Sequence, residues 1–459
     1  MARKPNLAPL IERLINRDTI VAIATPPGRG GVGIIRVSGP HVGHVAITVL
    51  GKLPTPRMAL LSHFWDLQGE TIDIGLSLFF PGPNSYTGED VLEFQTHGSP
   101  IILDQLLKSV LDCGCRLARP GEFTERAFLN SRLDLTQAEA VADLIDAGSV
   151  AAAKSALRSL TGAFAERIEQ LLEQLIGIRT HLEASMDFAD EALELSSQAQ
   201  LIRQFATLCE HIDLTVQRAQ QGVQLKEGAR LVIAGQPNAG KSSLLNCLTD
   251  SQTAIVTDVA GTTRDILSQP LSLDGLPLHL IDTAGLREST DPVESEGIRR
   301  AWQAIAQADA VLLVIDLTKG EQSEDQKIRS RLPTDVPVIT VMNKCDQISP
   351  QKNTSTDPYL VYVSALTGEG IDTLRTRLKD LLHYSGEDAV FIARRRHLDA
   401  LKRAAHHVEK AQQLTQDNAG LELAAEECRQ AQLAFDEITG RFTTEDLLGR
   451  IFSDFCIGK

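Results

Sequence analysis

Aromatic residues are scarce, 4% of the chain, which weakens any reading built on stacking platforms for single-stranded nucleic acid. Basic charge is outnumbered: 45 Lys and Arg against 60 Asp and Glu leave a formal charge of −15. Bulk attraction to DNA, RNA or anionic lipid is therefore not expected, and an RNA partner needs a local basic face or an adaptor protein. Arg394, Arg395 and Arg396 form one basic cluster, equally well read as a solvated helix start. Cysteines are few and odd in number, 7 in 459 residues. That is no disulfide framework, and it fits a reducing compartment. Cys113 and Cys115 stand close together, but no second Cys/His pair follows at zinc-like spacing, so they read as small buried hydrophobes. No apolar run approaches the ~18 residues of a membrane span. Glu12, Arg13, Arg17 and Asp18 stand where a secretory signal would keep its apolar centre. The expectation is a cytoplasmic protein with no membrane segment.

What is present is ordinary globular material, 43% hydrophobic and 23% charged, long enough for three domains of roughly 150 residues. Over residues 19–130 the runs TIVAIA, GIIRVSG, TIDIGLSLFF and DVLEFQTHG read as strands, β-branched and bounded by Gly and Pro. Residues 100–114 carry a helical period, making this an α+β module. Residues 134–222 are almost wholly helical and free of proline. Around Arg230 strands return and alternate with helices as far as about His383, the rhythm of a parallel sheet. Residues 394–455 are helical again. Two amphipathic helical stretches flanking one α/β domain are most economically packed on each other, with the α/β domain inserted between them. A helical linker followed by an independent C-terminal bundle is the alternative.

The strand RLVIAG runs into Gly235, Gln236, Pro237, Asn238, Ala239, Gly240, Lys241 and Ser242, and a helix follows: GxxxxGK[ST] in strand–loop–helix context. Its glycines let successive N–H groups turn inward around phosphate oxygens, Lys241 brings a point charge to the β/γ-phosphates, and the Ser242 hydroxyl suits Mg²⁺. A second strand ends in Asp282, Thr283, Ala284 and Gly285, a DxxG whose carboxylate faces the metal's water shell. After the apolar strand VPVITVM come Asn343, Lys344, Cys345 and Asp346. A carboxylate at Asp346 can accept both N1–H and N2–H₂ of guanine, donors that adenine lacks there. Ser364, Ala365 and Leu366 are placed to finish the base pocket. Three ordered motifs imply a guanine-nucleotide domain. The residue after DxxG is Leu286, which cannot orient water as a glutamine does. Among the nearby acids Glu288, Asp291, Glu294 and Glu296, motif logic alone does not choose.

With GQPNAGKSSLLN, TDVAGTTRD (257–265) and DTAGLRE in the α/β domain, ATPPGRGGVGIIRVSG, SYTGEDVLEFQTHG and ARPGEFTERAFLN in the first module, and the terminal CIGK, the chain resembles the MnmE (TrmE) family of tRNA-modification GTPases over residues 18–459. The resemblance implies a multidomain α+β and α/β protein. Residues 1–131 would form a tetrahydrofolate-binding and dimerisation domain, 132–224 and 389–459 the two segments of a discontinuous helical domain, and 225–388 an inserted Ras-like P-loop G domain. It implies a potassium-activated GTPase and homodimer. Such a protein works with a flavin-dependent partner of MnmG (GidA) type, in a heterotetramer or larger complex. Together they would install an aminomethyl or carboxymethylaminomethyl group at C5 of wobble uridine in tRNA, from a one-carbon unit of 5-formyl- or methylene-tetrahydrofolate.

Residue by residue, the family's GTP/GDP contacts fall on Asn238, Ala239, Gly240, Lys241, Ser242 and Ser243, then on Thr257, Asp258, Val259, Ala260, Gly261, Thr262 and Thr263. They continue at Asp282, Thr283, Ala284 and Gly285, at Asn343, Lys344 and Asp346, and at Ser364, Ala365 and Leu366. Mg²⁺ falls to Ser242 and Thr263, and K⁺ to Asn238, Thr257, Val259 and Thr262. Glu294 matches the glutamate that orients water, which with Lys241 makes the catalytic pair. Folate contacts transfer to Arg36, Glu93, Arg132 and Lys459. Arg132 departs from the family pattern, which has lysine: charge is kept but not geometry. Cys456 would lie near the folate site. Two rivals are weaker. A ribosome-assembly GTPase switch would need an RNA-binding module such as a KH domain with its GxxG loop, and none is evident outside the α/β domain. A non-catalytic folate-binding scaffold is at odds with intact Lys241, Ser242, Thr263 and Asp282.

Overall fold

A computed structural model describes residues 18–187, 195–248, 270–282, 305–306, 308–334, 336–348, 357–382, 384, 391–417, 420–441, 445–453, 455–456 and 458. The chain forms two compact units, Met1–Ala142 with Asp436–Lys459, and Asp143–Phe435.

In the first unit the four β-branched runs become β1 (Ile20–Ile23), β2 (Gly30–Ser38), β4 (Thr71–Phe80) and β5 (Val91–Gly98), and two strands not read from sequence join them, β3 (Leu60–Trp65) and the short β6 (Arg116–Leu117). They form one sheet in the order β3-β4-β5-β2-β1-β6. It is antiparallel except at the β1–β6 edge. Helices α1 (Val42–Leu50) and α2 (Pro100–Asp112) cover one face, where Val45, Val49, Leu106 and Val110 meet Ile35, Val37, Phe64, Leu92 and Phe94. The other face takes α3 (Glu122–Leu129), whose Phe123 joins Ile20, Ala22 and Ala118, with Tyr86 packed alongside. The last helix, Glu445–Ser453, belongs to this unit: Leu448, Ile451, Phe452 and Phe455 close on Leu135 and Ala138 of α4 (Leu135–Ile145).

α3 is held by ion pairs rather than apolar contacts alone. Arg126 is 9% exposed, and its guanidinium donates to Glu89 Oε2 at 3.0 Å, Asp18 Oδ1 at 2.9 Å and Glu122 Oε1 at 3.1 Å. Arg116 adds a second cation on Glu122, with Nη1 2.8 Å from Oε2. Burial alone would raise the Glu122 carboxyl, but the hydrogen bond from Arg116, the Arg119 N–H and the two arginine charges bring it down to about 2 from 4.5. A depressed carboxylate stabilises the fold above its unfolded value and stops doing so as pH falls through its folded one. Melting temperature should therefore hold above about pH 4.5 and fall toward pH 2, and Glu122→Gln should flatten that dependence while lowering the plateau.

The second unit opens with α5 (Val150–Leu160), α6 (Ala163–Asp187) and α7 (Leu195–Glu227). An α/β layer follows: β7 (Ala229–Ala234), α8 (Lys241–Leu248), β8 (Pro270–Leu273), β9 (Leu276–Asp282), β10 (Ala310–Asp316), α9 (Ser323–Arg331), β11 (Val338–Asn343), β12 (Leu360–Tyr362) and α10 (Ile371–Leu381). Its sheet order is β12-β11-β10-β7-β9-β8, parallel except for the β8–β9 hairpin. Every residue of β10 is buried, as a central strand covered on both faces requires. Successive residues serve opposite cores: Leu231, Ile233, Leu312 and Val314 face one, Val232, Ala234, Val311 and Leu313 the other.

The chain then returns to the helices as α11 (Arg395–Gln416) and α12 (Leu421–Thr439). Ala400, Leu401, Ala404, Val408 and Ala411 form the buried stripe of α11, which runs beside α7. The return point lies where the chain left. Phe391 stacks on Phe164 with ring centroids 4.5 Å apart, and Arg395 Nη2 pairs with Glu227 Oε2 at 2.8 Å. Asp143, 4% exposed, accepts from Lys226 Nζ and Arg394 Nη2, both at 2.9 Å. Such neighbouring ends are what allow one folded layer to interrupt another without strain.

Candidate functional site

The loop after β7 is shaped by its glycines. Gly235 has φ +143°, and a Cβ there would lie 2.2 Å from Val314 O. Gly240 has φ +91°, and its Cβ would meet Asn343 Nδ2 at 2.2 Å. Between them Asn238 adopts φ +63°, a left-handed conformation asparagine tolerates better than most residues. Leu244 N closes the first turn of α8 on Gly240 O at 2.9 Å. The amides of Lys241 and the exposed Ser242 and Ser243 thus stand at a helix N-terminus, the natural seat of an anion. Lys241 Nζ lies across the loop, donating to Gly235 O at 2.9 Å and Gln236 O at 3.0 Å. Asp282 ends β9 in register with Ile233 of the neighbouring β7, which places its backbone beside the start of this loop.

The base side converges on Asn343, the last residue of β11 and 2% exposed. Its Nδ2 donates to Ala239 O at 2.8 Å, and its Oδ1 accepts from Lys344 N at 2.8 Å and Ala365 N at 3.1 Å. One amide therefore braces three segments: the phosphate loop, the turn after β11 and the loop after β12. Lys344, at φ +67°, donates Nζ to Asp316 Oδ2 at 2.6 Å. Burial pushes the Asp316 carboxyl up, but the hydrogen bonds from Lys344 and Thr318 outweigh it and hold the group below its ordinary range. Cys345 is buried, which leaves Asp346 exposed on the far side of the turn. Ser364 is fully buried and its Oγ accepts from Leu366 N at 3.3 Å and Thr367 N at 3.1 Å. Leu366 itself is 84% exposed, so its side chain contributes nothing to the loop's geometry.

The structure thus brings together Asn238, Ala239, Gly240, Lys241, Ser242, Ser243, Asn343, Lys344, Asp346, Ser364, Ala365 and Leu366. Thr257, Asp258, Val259, Ala260, Gly261, Thr262, Thr263, Thr283, Ala284, Gly285, Glu294 and Lys459 lie outside the described residues. Two features carry no sequence signal. One is the role of Asn343 as a brace. The other is Asp325 on α9, which accepts from Gln236 Nε2 of the phosphate loop at 2.9 Å. Nothing in SEDQKIRSR distinguishes that aspartate from a helix-capping acid.

On the α3 face of the first sheet Arg36 and Glu93 are direct neighbours across β2 and β5, and Arg36 Nε donates to Glu93 Oε1 at 2.8 Å. The Arg36 guanidinium lies 5.4 Å from the Tyr86 ring centroid and 5.7 Å from that of Phe123. Arg36 Nη1 also donates to Gly458 O at 3.3 Å, so Gly458 lies beside this pair. Cys456 is exposed, and its carbonyl accepts from Gly121 N at 3.4 Å. Arg132 is exposed after α3, its stem beside Gly88 in the loop that carries Tyr86. Tyr86 and Phe123 were not among the residues singled out from sequence.

A glycine-shaped loop at a helix N-terminus, braced to the turn after β11 across a parallel sheet, defines a P-loop GTPase. The family model described as "MnmE helical domain" matches residues 135–456. That described as "GTP-binding protein TrmE N-terminus" matches residues 19–132. A tRNA modification GTPase MnmE from Pectobacterium carotovorum is 54% identical over 454 residues, 97% of this chain and 100% of that one. Proteins of the same description from Hydrogenovibrio crunogenus and Vibrio cholerae are each 51% identical, over 96% of this chain and 99% of theirs. The chain belongs to the MnmE family of tRNA modification GTPases. Among solved structures, the G domain of the T. maritima FeoB iron transporter is 27% identical over 33% of this chain and 98% of that one, at a TM-score of 0.25. No helix among the described residues is long and apolar enough to cross a membrane.

Proposed function

We propose that this protein is a potassium-activated, cytoplasmic, homodimeric GTPase. With a flavin-dependent partner of MnmG (GidA) type it modifies C5 of wobble uridine in tRNA, using a one-carbon unit from 5-formyl- or methylene-tetrahydrofolate. The observation that carries the nucleotide half is the Asn343 brace, which ties phosphate loop and base loops into one site. Lys241 swings from the loop carbonyls onto the β/γ-phosphates, and Asp346 accepts the guanine N1–H and N2–H₂. The hydroxyls of Ser242 and Thr263 suit a hard cation such as Mg²⁺, which when bound offsets phosphate charge. Asn238, with Thr257, Val259 and Thr262, offers oxygens fit for K⁺. Glu294 orients the attacking water in the place of the absent glutamine.

GTP turnover should rise strongly in K⁺ over Na⁺ at matched ionic strength, and equal rates would remove the potassium site. Glu294→Ala should depress turnover while sparing GDP affinity; normal turnover would mean that another group positions the water.

For the folate half, the support is Arg36 beside Glu93 over two aromatic rings, with Gly458 beside them. A guanidinium suits the acidic glutamate tail of folate, and a carboxylate suits the pterin's amino edge. Calorimetry with a reduced folate should show binding that is independent of nucleotide. Arg36→Ala or Glu93→Ala should weaken it about tenfold or more, the size of one charge-assisted hydrogen bond. Unchanged affinity in both variants would place the site elsewhere. Loss of the modified wobble nucleoside, read by mass spectrometry in cells lacking the protein, tests the whole assignment.

A further inference from the structure

The geometry points to Asp325 on α9 as a positioning residue for the phosphate-binding loop, acting through Gln236. Gln236 opens the loop, and two functions hang on its main chain. Its carbonyl is one of the two that hold Lys241 Nζ, at 3.0 Å, and it also accepts from Ala239 N at 3.3 Å. Pro237 follows and has no N–H to donate, so the limb leading to Asn238 has few anchors of its own. The far limb is pinned where Asn343 Nδ2 donates to Ala239 O. The near limb is pinned where Gln236 Nε2 donates to Asp325 Oδ2 at 2.9 Å.

Asp325 is 2% exposed. Its Oδ2 accepts a second bond from Gln322 N at 3.0 Å, closing the capping box at the start of α9. Its Oδ1 is buried with no hydrogen-bond partner among the described residues. Helix capping does not account for that arrangement. The Gln322 amide needs one acceptor, which a neutral asparagine or serine supplies without burying a charged oxygen unpaired. What the carboxylate adds is a strong acceptor, screened from water, for the second donor, the side chain of Gln236. Asp325 therefore holds Gln236 at the angle that keeps its carbonyl under Lys241 and sets up the left-handed Asn238 next to it.

This rests on the loop of residues 235–242 being the nucleotide's phosphate site, and the test separates the two. Fluorescent GDP affinity and GTP kcat and KM are measured on the full chain for wild type, Asp325→Ala, Gln236→Glu and the pair Gln236→Glu with Asp325→Asn. Gln236→Glu sets two carboxylates against each other and should weaken GDP binding about tenfold or more. The pair removes the like charge, but an amide at position 325 that meets the new carboxylate at 236 in place of Oδ2 no longer accepts from Gln322 N, so affinity should recover only in part, to between Gln236→Glu and wild type. A role confined to capping α9 would lower the melting temperature of Asp325→Ala and leave Gln236→Glu unaffected. Wild-type chain that binds no GDP overturns the nucleotide reading itself. Wild-type chain that binds, with Gln236→Glu unchanged or with no rescue in the pair, overturns the positioning role.

Discussion

Asn343→Ala is expected to weaken GDP and GTP binding by two orders of magnitude or more while leaving the chain folded. The amide is 2% exposed and meets three partners: Ala239 O, Lys344 N and Ala365 N. Truncation strands all three in a site that water enters poorly, at about 1–3 kcal/mol for each group left unsatisfied. Relaxation recovers part of this, so the sum is an upper bound. The loss falls on function first, because the three segments come from different parts of the chain and one amide meets all of them. Asn343→Asp discriminates further: it keeps the acceptor for Lys344 N and Ala365 N but turns a second acceptor toward Ala239 O. It should therefore fall between wild type and the alanine variant in affinity. Equilibrium titration with fluorescent GDP checks both, and an affinity for Asn343→Ala within threefold of wild type would refute the brace.

Arg126→Ala should be the most damaging single change in the first unit. The guanidinium is 9% exposed and faces Asp18, Glu89 and Glu122 at 2.9–3.1 Å. Removing one partner of a buried ion cluster leaves carboxylates without a counter-charge, typically a loss of about 3–5 kcal/mol. For a domain of this size that is roughly 6–20 °C in melting temperature. Arg119→Ala is the milder comparison: its side chain is 62% exposed, pairs with the half-buried Glu125 at 2.8 Å and reaches Glu122 only at 3.6 Å, so it should cost less than Arg126→Ala, about 1 kcal/mol. The cluster also reaches the aromatic site. Glu89 accepts from Ser38 Oγ at 2.8 Å as well as from Arg126, and it sits three residues after Tyr86. If the proposed folate site is this one, Arg126→Ala should also weaken folate binding more than Arg119→Ala does. Scanning calorimetry showing a shift no larger than that of Arg119→Ala would mean the carboxylates find other partners.

How far the sequence could be read depended on whether the deciding interaction is local. The strand–loop–helix at residues 235–242 was legible, because its φ > 0 glycines, helix N-terminus and lysine lie within eight positions. The β-branched runs of β1, β2, β4 and β5 were legible from alternation and bounding turns. α1 was not: VGHVAITVL is rich in residues that favour strands, and it is helical because Val42, Val45, Val49 and Leu50 bury together against the sheet. α3 was hidden for the opposite reason. EFTERAFL looks solvated, yet Glu122 and Arg126 are buried, each satisfied by charges far away in sequence.

By itself the sequence determined the motifs of the nucleotide loops, the family, and the alternation of helical and α/β segments, since each rests on short-range backbone geometry or on identity of motif. Only the tertiary structure decided the partners. Amphipathic period says that a helix has a face to bury but not against what; the last helix buries Leu448, Ile451 and Phe452 on Leu135 and Ala138. Sheet register set Arg36 opposite Glu93, and chain return brought Gly458 to the same guanidinium across 422 positions of sequence. Asn343 became a brace, and Asp325 came to hold Gln236 across 89 positions, because a parallel sheet gathers the C-terminal ends of its strands and the loops leaving them at one edge. Contacts of that kind depend on where distant segments are delivered, and residue type at either end does not announce them.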